Sequence, residues 1–334
     1  MTDETTAHPV GVKETASPQL AEIRVRGKTI QTPSVVVNGA TVVVTGTWLK
    51  MATLHDEELI EGDVLSDPEP FVTTLRQKRM ADVFTFSQKP TDPVPRHQYF
   101  LEWDNAAIIP VKDYVGWWEK LPQETRRNVR KAAKLGVDVR VVPFDDELVR
   151  GIVDIYNETP IRQGRRFWHY GKSFEAIKSE TATYLERSEF IGAYHENALI
   201  GFIKLVYVDR CANIIHILSK EQHGDKRPTN ALLARAVQVC ADKGMSSLQY
   251  CKYVYGGNET SSLTEFKRRN GFEPVRYPRY YVPLTATGTL VMRLKLHHGV
   301  VQLLPKKLSD ALRNLRKTGL ETFCRAKSAA AKSE

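Results

Sequence analysis

The sequence predicts an α/β fold of the α+β kind, a mixed sheet flanked by helices and divided into two lobes. Three observations lead there. Residues Arg227 to Phe272 read as one unit of helix, short strand, glycine turn and second helix. Three apolar runs, Glu189–His195, Leu199–Asp209 and Cys211–Leu218, follow one another as strands with a turn at Glu196-Asn197 between the first two. Residues 20–121 carry strands and a helix of their own, and a 334-residue chain is long enough for two domains of roughly 100–200 residues.

The N-terminal 19 residues are polar, contain Pro9 and Pro18, and are expected to be disordered. Ile23 to Ile30 alternates apolar and polar residues, as a half-buried strand does. Val35-Val36-Val37, Asn38-Gly39 and Thr41–Trp48 predict a tight hairpin, because Asn-Gly supplies the positive φ angles of a two-residue turn. Asp67-Pro68 opens a helix whose apolar side holds Phe71, Leu75 and Met80. Asp82–Phe86 and Gln98–Val111 are strand-like, joined by the proline-rich surface stretch Lys89–Pro95. A short helix with Trp117 and Trp118 completes the lobe at Leu121.

The second part runs from 122 to 285. Pro122 starts a helix with Glu124 in its first turn, and Gly136 ends it. Val137, Val139 and Val141 alternate along a strand, and Asp145 caps a helix with Leu148, Ile152, Ile155 and Tyr156. A loop spans Thr159–Gly171, and a helix is expected from Ser173 to Glu186 before the three strands. Pro228-Thr229-Asn230 opens the next helix, with Leu232, Leu233, Ala236, Val237 and Cys240 on one face and Lys243-Gly244 at its close. Ser247–Tyr253 is a strand and Gly256-Gly257 a turn. The last helix stops at Asn270-Gly271-Phe272, and Arg279–Leu284 supplies a final strand.

This order of elements, with the closing run FKRRNGF at 266–272, resembles the GNAT acyltransferase core. The basic helix RRNVRKAAKLGVDV at 126–139 is similar to the one that opens the second lobe of FemAB-type transferases. The resemblance implies an acyltransferase with a degenerate GNAT-like first lobe. It implies an acyl-CoA donor (acetyl-CoA) and an amine or hydroxyl acceptor, either a small molecule or a cell-envelope precursor. Aminoacyl-tRNA is the alternative donor. The R/Q-x-x-G-x-G/A loop of ordinary GNAT enzymes is absent: Gln222-His223-Gly224-Asp225 has neither its spacing nor its second glycine. A non-catalytic binding module on the same fold is the remaining alternative.

Composition adds limits. There is no apolar run near the roughly 18 residues that a membrane span needs, and no signal core, so the expected compartment is the cytoplasm. Cys211, Cys240, Cys251 and Cys324 form no CxxC pair, so neither a metal nor a disulfide framework is expected. The net charge of +9 suits a phosphate-bearing partner without specifying one. Ten of the cations lie between Gly288 and the end, where Leu308, Leu312 and Leu315 have helical spacing, so 286–334 reads as a basic helical segment and tail.

Four groups of residues are candidates for chemistry. Arg126, Arg127, Arg130, Lys131 and Lys134 fall at i, i+1, i+4, i+5 and i+8, one cationic stripe near an anionic donor or acceptor. Lys226, Arg227, Thr229 and the amides of Asn230 and Ala231 could hold phosphate at a helix start. Arg162, Arg165, Arg166, Trp168, His169 and Tyr170 mix cations with aromatic rings in the loop that, by the resemblance, walls the acceptor pocket. Three titratable residues are candidates for catalysis: His216 as base, Tyr255 as acid toward the leaving group, and Asp104 as an orienting carboxylate at the lobe junction.

Overall fold

The computed structural model describes residues 19–25 and 28–297. The expectations of a disordered N-terminus and of a basic tail beyond residue 297 lie outside the described residues. The framework is one twelve-stranded mixed sheet that runs through both lobes.

The N-terminal half begins with β1 (Gln19–Val25), β2 (Lys28–Val37) and β3 (Ala40–Thr45), an antiparallel meander. The single strand expected across Ile23–Ile30 is therefore two strands, paired back on each other from Val25↔Lys28. Asn38 and Gly39 have φ of 49° and 78°, the left-handed pair that the tight turn between β2 and β3 requires. β4 (Met51–Leu54), which sequence reading did not separate from its surroundings, pairs with β3 and runs parallel to β5 (Val83–Ser87). α1 (Glu69–Gln77) lies between them in sequence and buries Phe71, Val72 and Leu75 against Val42, Val44, Phe84 and Phe86. β6 (Phe100–Pro110) and α2 (Tyr114–Lys120) lead into the second half.

There α3 (Gln123–Lys134) and β7 (Asp138–Val142) precede α4 (Asp146–Tyr156). The 159–171 loop contains a two-residue hairpin, β8 (Ile161–Arg162) with β9 (Arg165–Arg166). α5 (Phe174–Thr181) is shorter than expected: Tyr184 turns left-handed and a 3-10 turn at Leu185–Arg187 replaces the last helical residues. β10 (Ser188–His195), β11 (Ala198–Val208) and β12 (Cys211–Ser219) are antiparallel. A 3-10 turn, Glu221–Lys226, leads to α6 (Pro228–Asp242), followed by β13 (Ser247–Gln249) and α7 (Ser262–Arg269). β14 (Glu273–Pro283) and α8 (Ala286–Arg293) close the described chain.

β14 is the element that departs most from expectation. It is eleven residues long and inserts between β5 and β6, joining the sheet halves. The strand expected at Arg279–Leu284 thus begins six residues earlier, in a part that contains Pro274 and Pro278. They are tolerated because β14 pairs there with β6 alone, and β5 joins only from Arg279 onward. Its Tyr280 and Val282 are buried in the α1 core.

The two faces of the second half carry different layers. Ile203, Leu205, Ala212, Ile214 and Leu248 pack under α6, which also supports α3. Phe190 and Phe202, pointing the other way, pack under α4 and α5 with Ile152, Ile155 and Ile177.

Candidate active site

Two features of β12 create a gap in the sheet. β12 and β13 pair in parallel over only three residues, Cys211–Asn213 with Ser247–Gln249. β12 then runs on for Ile214–Ser219, paired with β11 alone. The β11–β12 register shifts between Lys204 and Leu205, so that Ile215 is an extra residue. Such a bulge bends its strand and breaks the ladder locally. On the other side the chain leaves β13 after Gln249: Tyr250 and Cys251 bond to Ala107 of β6 instead, and Cys251 has φ of 45°. The strand expected to reach Tyr253 thus stops where the gap begins.

Along the 250–255 wall lies a chain of contacts that joins two of the three candidate catalytic residues. The Asp104 carboxylate is buried. It accepts from Lys252 Nζ at 2.8 Å, Arg279 Nε at 3.1 Å and the Asn105 amide at 2.8 Å. Burial alone would raise its pKa, but the bonds from Lys252 and Asn105 outweigh it and hold the carboxyl below the ordinary range. Asp104 is an ionised anchor and a weak base. The Lys252 carbonyl accepts from Lys267 Nζ, and that ammonium lies 4.5 Å and 5.1 Å from the centres of the Tyr250 and Tyr255 rings. Lys267 has no exposed surface, and burial lowers its pKa to about 8. The Tyr255 hydroxyl is raised by burial and by Cys251. Sequence reading placed Lys267 in the helix without assigning it chemistry. Its signal was a lysine immediately after Phe266, on the packed side of α7.

His216 belongs to a separate cluster beneath α4. Its Nδ1 is 3.4 Å from the Tyr156 hydroxyl, and its ring is 6.1 Å from that of His169, itself 4.4 Å from the Tyr156 ring. Burial, reinforced by His169, lowers His216 to about 3; burial and Lys172 lower His169 to about 4. Both imidazoles are neutral at pH 7, and a base this weak is poorly matched to an ammonium proton. Tyr156 is what brings the two expected histidines together.

The loop residues divide. Arg162 donates to the carbonyls of Ser219 at 2.9 Å and Ile155 at 3.1 Å and to Glu158 at 2.8 Å, which fixes the loop to the end of β12. Phe167 packs with the α4 layer. Arg165, Arg166, Trp168 and Tyr170 are exposed.

The start of α6 offers fewer amides than expected. The N–H groups of Asn230 and Ala231 both donate to the Arg227 carbonyl, at 3.2 Å and 3.4 Å, because Arg227 adopts a left-handed conformation with φ of 58°. The Thr229 hydroxyl meets that of Ser219 at 2.8 Å, and Asn230 Nδ2 donates to Asn270 at 3.0 Å. Lys226, 3.6 Å from Asp225, and the exposed Arg227 remain as cations at that end.

α3 presents its stripe as expected. Arg127, Arg130, Lys131 and Lys134 are exposed and Arg126 is half-buried; Arg130 lies 5.5 Å over Trp118. None of the five forms an ion pair among the described residues, so no direct acidic contact there offsets their mutual repulsion.

A cavity of about 280 Å³ lies between the sheet halves, on the face opposite α6. Its floor includes Ile108, Asn213, Gln249, Tyr277 and Arg279, and residues 57–65 and 87–91 cover it. Among the described residues no three His, Cys, Asp or Glu side chains converge as a metal site would.

No protein-family model and no curated protein matches this chain. Solved structures do. FemX aligns over 83% of this chain and 90% of its own at 10% identity, with a TM-score of 0.52. L-PGS from Bacillus licheniformis aligns over 79% and 88% at 14% identity, with a TM-score of 0.50. The C-terminal domain assigned to a lysylphosphatidylglycerol synthetase in Agrobacterium fabrum gives the same coverage, identity and score. The fold is therefore GNAT-like, in the two-lobe FemAB-like arrangement.

Proposed function

We propose that this chain is an acyltransferase that moves an activated acyl group to an amine without a covalent intermediate. The observation that carries the reading is the gap between β12 and β13, where paired strands separate after three residues in a FemAB-like fold. A gap of this kind leaves backbone N–H groups of one strand available to a carbonyl laid along it, and such donors stabilise the oxyanion of a tetrahedral intermediate. The amine attacks the acyl carbon, the C–N bond forms, and the bond to the carrier breaks with protonation of the carrier. Lys267 lies against the 250–255 wall as a buried cation, suited to the negative charge that develops there. The working division is an N-terminal lobe, 20–121, and a transferase lobe, 122–285, which share β14.

Acyl-CoA and aminoacyl-tRNA remain as donors, and two observations favour the second. The α6 start has its Asn230 and Ala231 amides engaged internally, which weakens a pyrophosphate site. The five α3 cations form no ion pair among the described residues and match an extended polyanion better than a single diphosphate. Both carriers belong to the cytoplasm, where we place the reaction. The acceptor is an amine on a small molecule or cell-envelope precursor.

The test is paired binding. For an aminoacyl-tRNA donor, charged tRNA binds with an affinity that falls steeply with salt, and acetyl-CoA leaves the melting temperature unchanged. A melting rise with acetyl-CoA and no tRNA binding would restore the CoA reading. A response to neither would leave a binding module in place of an enzyme.

A further inference from the structure

The cavity between the sheet halves touches the proposed reaction gap at one place. Asn213 is the last β12 residue paired with β13, and Gln249 is the last residue of β13. Both line the cavity floor. Ala212 and Ile214 pack under α6, so Asn213 points to the opposite face, where the cavity lies. A molecule resting on Asn213 and Gln249 therefore sits at the fork where the two strands part.

The floor is polar and incompletely paired. Asn213 is 5% exposed and Tyr277 9% exposed, yet neither side chain has a hydrogen-bond partner among the described residues, and the Gln249 amide has none either. Their polar atoms are not sealed off from solvent, so they face open space at the cavity, where a ligand or water can bond them.

The charges are unequally used. Of the acids that line the cavity, Glu57 pairs with Arg279 at 2.8 Å, Asp209 with Lys89, and Asp63 with Arg96 at 2.6 Å. Glu58 alone has no ion pair among the described residues. The residue is exposed. Protein still surrounds it closely enough that burial pushes its carboxyl above the ordinary range. Arg279 is the cation on the floor, and Glu57 and Asp104 hold it on both sides.

We infer that this cavity is the acceptor site, and that it takes a small molecule or chain end bearing a primary ammonium, with Glu58 bound to the ammonium and Asn213, Gln249 and Tyr277 hydrogen-bonded to polar atoms beside it. The inference rests on the transferase reading and names its acceptor. In the reaction Glu58 accepts one proton from the ammonium as the free amine attacks the acyl carbon. The C–N bond forms, and the carrier leaves with the electron pair of its broken bond and takes up the second proton lost by the nitrogen, so charge and atoms balance. Glu58 enters from the N-terminal lobe, which gives that lobe a direct part in acceptor choice.

The probe is ethanolamine, with ethylene glycol as its uncharged counterpart, followed by ligand-observed NMR on the full chain at neutral pH. Ethanolamine binds the wild type at least tenfold more tightly than ethylene glycol. Glu58→Gln abolishes that preference, and Glu58→Asp keeps most of it. Equal binding of the two probes, or an undiminished preference in a folded Glu58→Gln protein, overturns the assignment. Should Glu58→Gln fail to fold, Asn213→Ala replaces it, with at least a threefold loss of ethanolamine affinity expected and no loss refuting. Donor binding is measured on the same samples. Failure of donor binding defeats the transferase reading, whereas intact donor binding without ammonium preference defeats the cavity assignment alone.

Discussion

Lys267 makes a pH-dependent contribution that can be isolated by one substitution. Its side chain is fully buried and its pKa is lowered from 10.5 to about 8 by burial. Below pH 8 both the native and the unfolded chain carry the proton, and the cost of burying the charge is present in full. Between pH 8 and 10.5 the native lysine loses its proton while the unfolded one keeps it, so stability rises with pH. Over the whole window this amounts to about 3 kcal/mol at 1.36 kcal/mol per unit. Between pH 8 and 9, integrating the native titration gives about 1 kcal/mol per lysine. Lys204 adds a similar term, since it too is fully buried and lowered to about 8 by burial. Cysteine thiols oppose the rise. Burial raises Cys240 from 9.0 to about 12, so the unfolded thiol ionises while the native one does not, and stability falls. Part of that thiol ionisation falls between pH 8 and 9, so native stability is expected to rise by about 1–2 kcal/mol there and then to turn over.

Lys267→Met removes one of the two titrations. At pH 7 its net effect is small in either direction, because loss of the buried charge offsets loss of the bond to the Lys252 carbonyl. The pH dependence carries the information. Urea unfolding at pH 7.5, 8, 8.5 and 9 should show Lys267→Met rising by about 1 kcal/mol less than the wild type between pH 8 and 9. Parallel curves for the two proteins would refute the claim that Lys267 is held near pH 8 by its surroundings.

Removing α3 cations tests the donor: Arg126→Ala with Arg130→Ala should weaken tRNA binding and reduce its log-log salt slope by up to about 2, and an unchanged slope would place tRNA elsewhere. Changing Lys226 and Arg227 together to Ala should weaken donor binding at least several-fold with little change in melting temperature, since Arg227 is exposed and Lys226 partly so; unchanged donor affinity would remove the α6 start from the site. Gly288→Ala should destabilise the fold although alanine favours a helix by about 1 kcal/mol, because its Cβ would lie 2.0 Å from the Asp82 carbonyl oxygen. A melting temperature equal to or above the wild type's would contradict that close approach.

What could be read in the sequence was whatever local chemistry decides. Asn38-Gly39 and Glu196-Asn197 each turn the chain through two positive φ values; the first was expected from residue type and the second from its place between two apolar strands. The α3 stripe and the apolar face of α6 follow from helical spacing. What could not be read depends on partners distant in sequence. β14 was expected only from Arg279, and its earlier part is held by pairing with β6, a strand distant in sequence. Arg162 looks like a ligand-binding cation until the carbonyls of Ile155 and Ser219 are placed around it. His216 and His169 look like separate candidates until Tyr156 is placed beside both. The interlobe cavity has no sequence signal because Glu58, Asn213, Gln249 and Tyr277 come from four distant segments.

The same long-range placement explains why the two lobes form one site. β14 belongs by sequence to the second lobe but lies between β5 and β6. Its Tyr280 is buried in the α1 core, while Arg279, one residue earlier and on the other face, bonds Glu57 and Asp104. Asp104 is bonded in turn to Lys252, whose carbonyl holds Lys267 beside the gap. A continuous series of charge-assisted contacts thus runs from the cover of the cavity at Glu57 to the wall of the gap at Lys267. Such bonds are stronger and more directional than neutral ones, and the buried members are costly to leave unpaired. A shift of residues 57–65 relative to the sheet would have to break the Glu57–Arg279 pair. The place of Glu58 in the cavity lining is in this way tied to β14 through its neighbour Glu57.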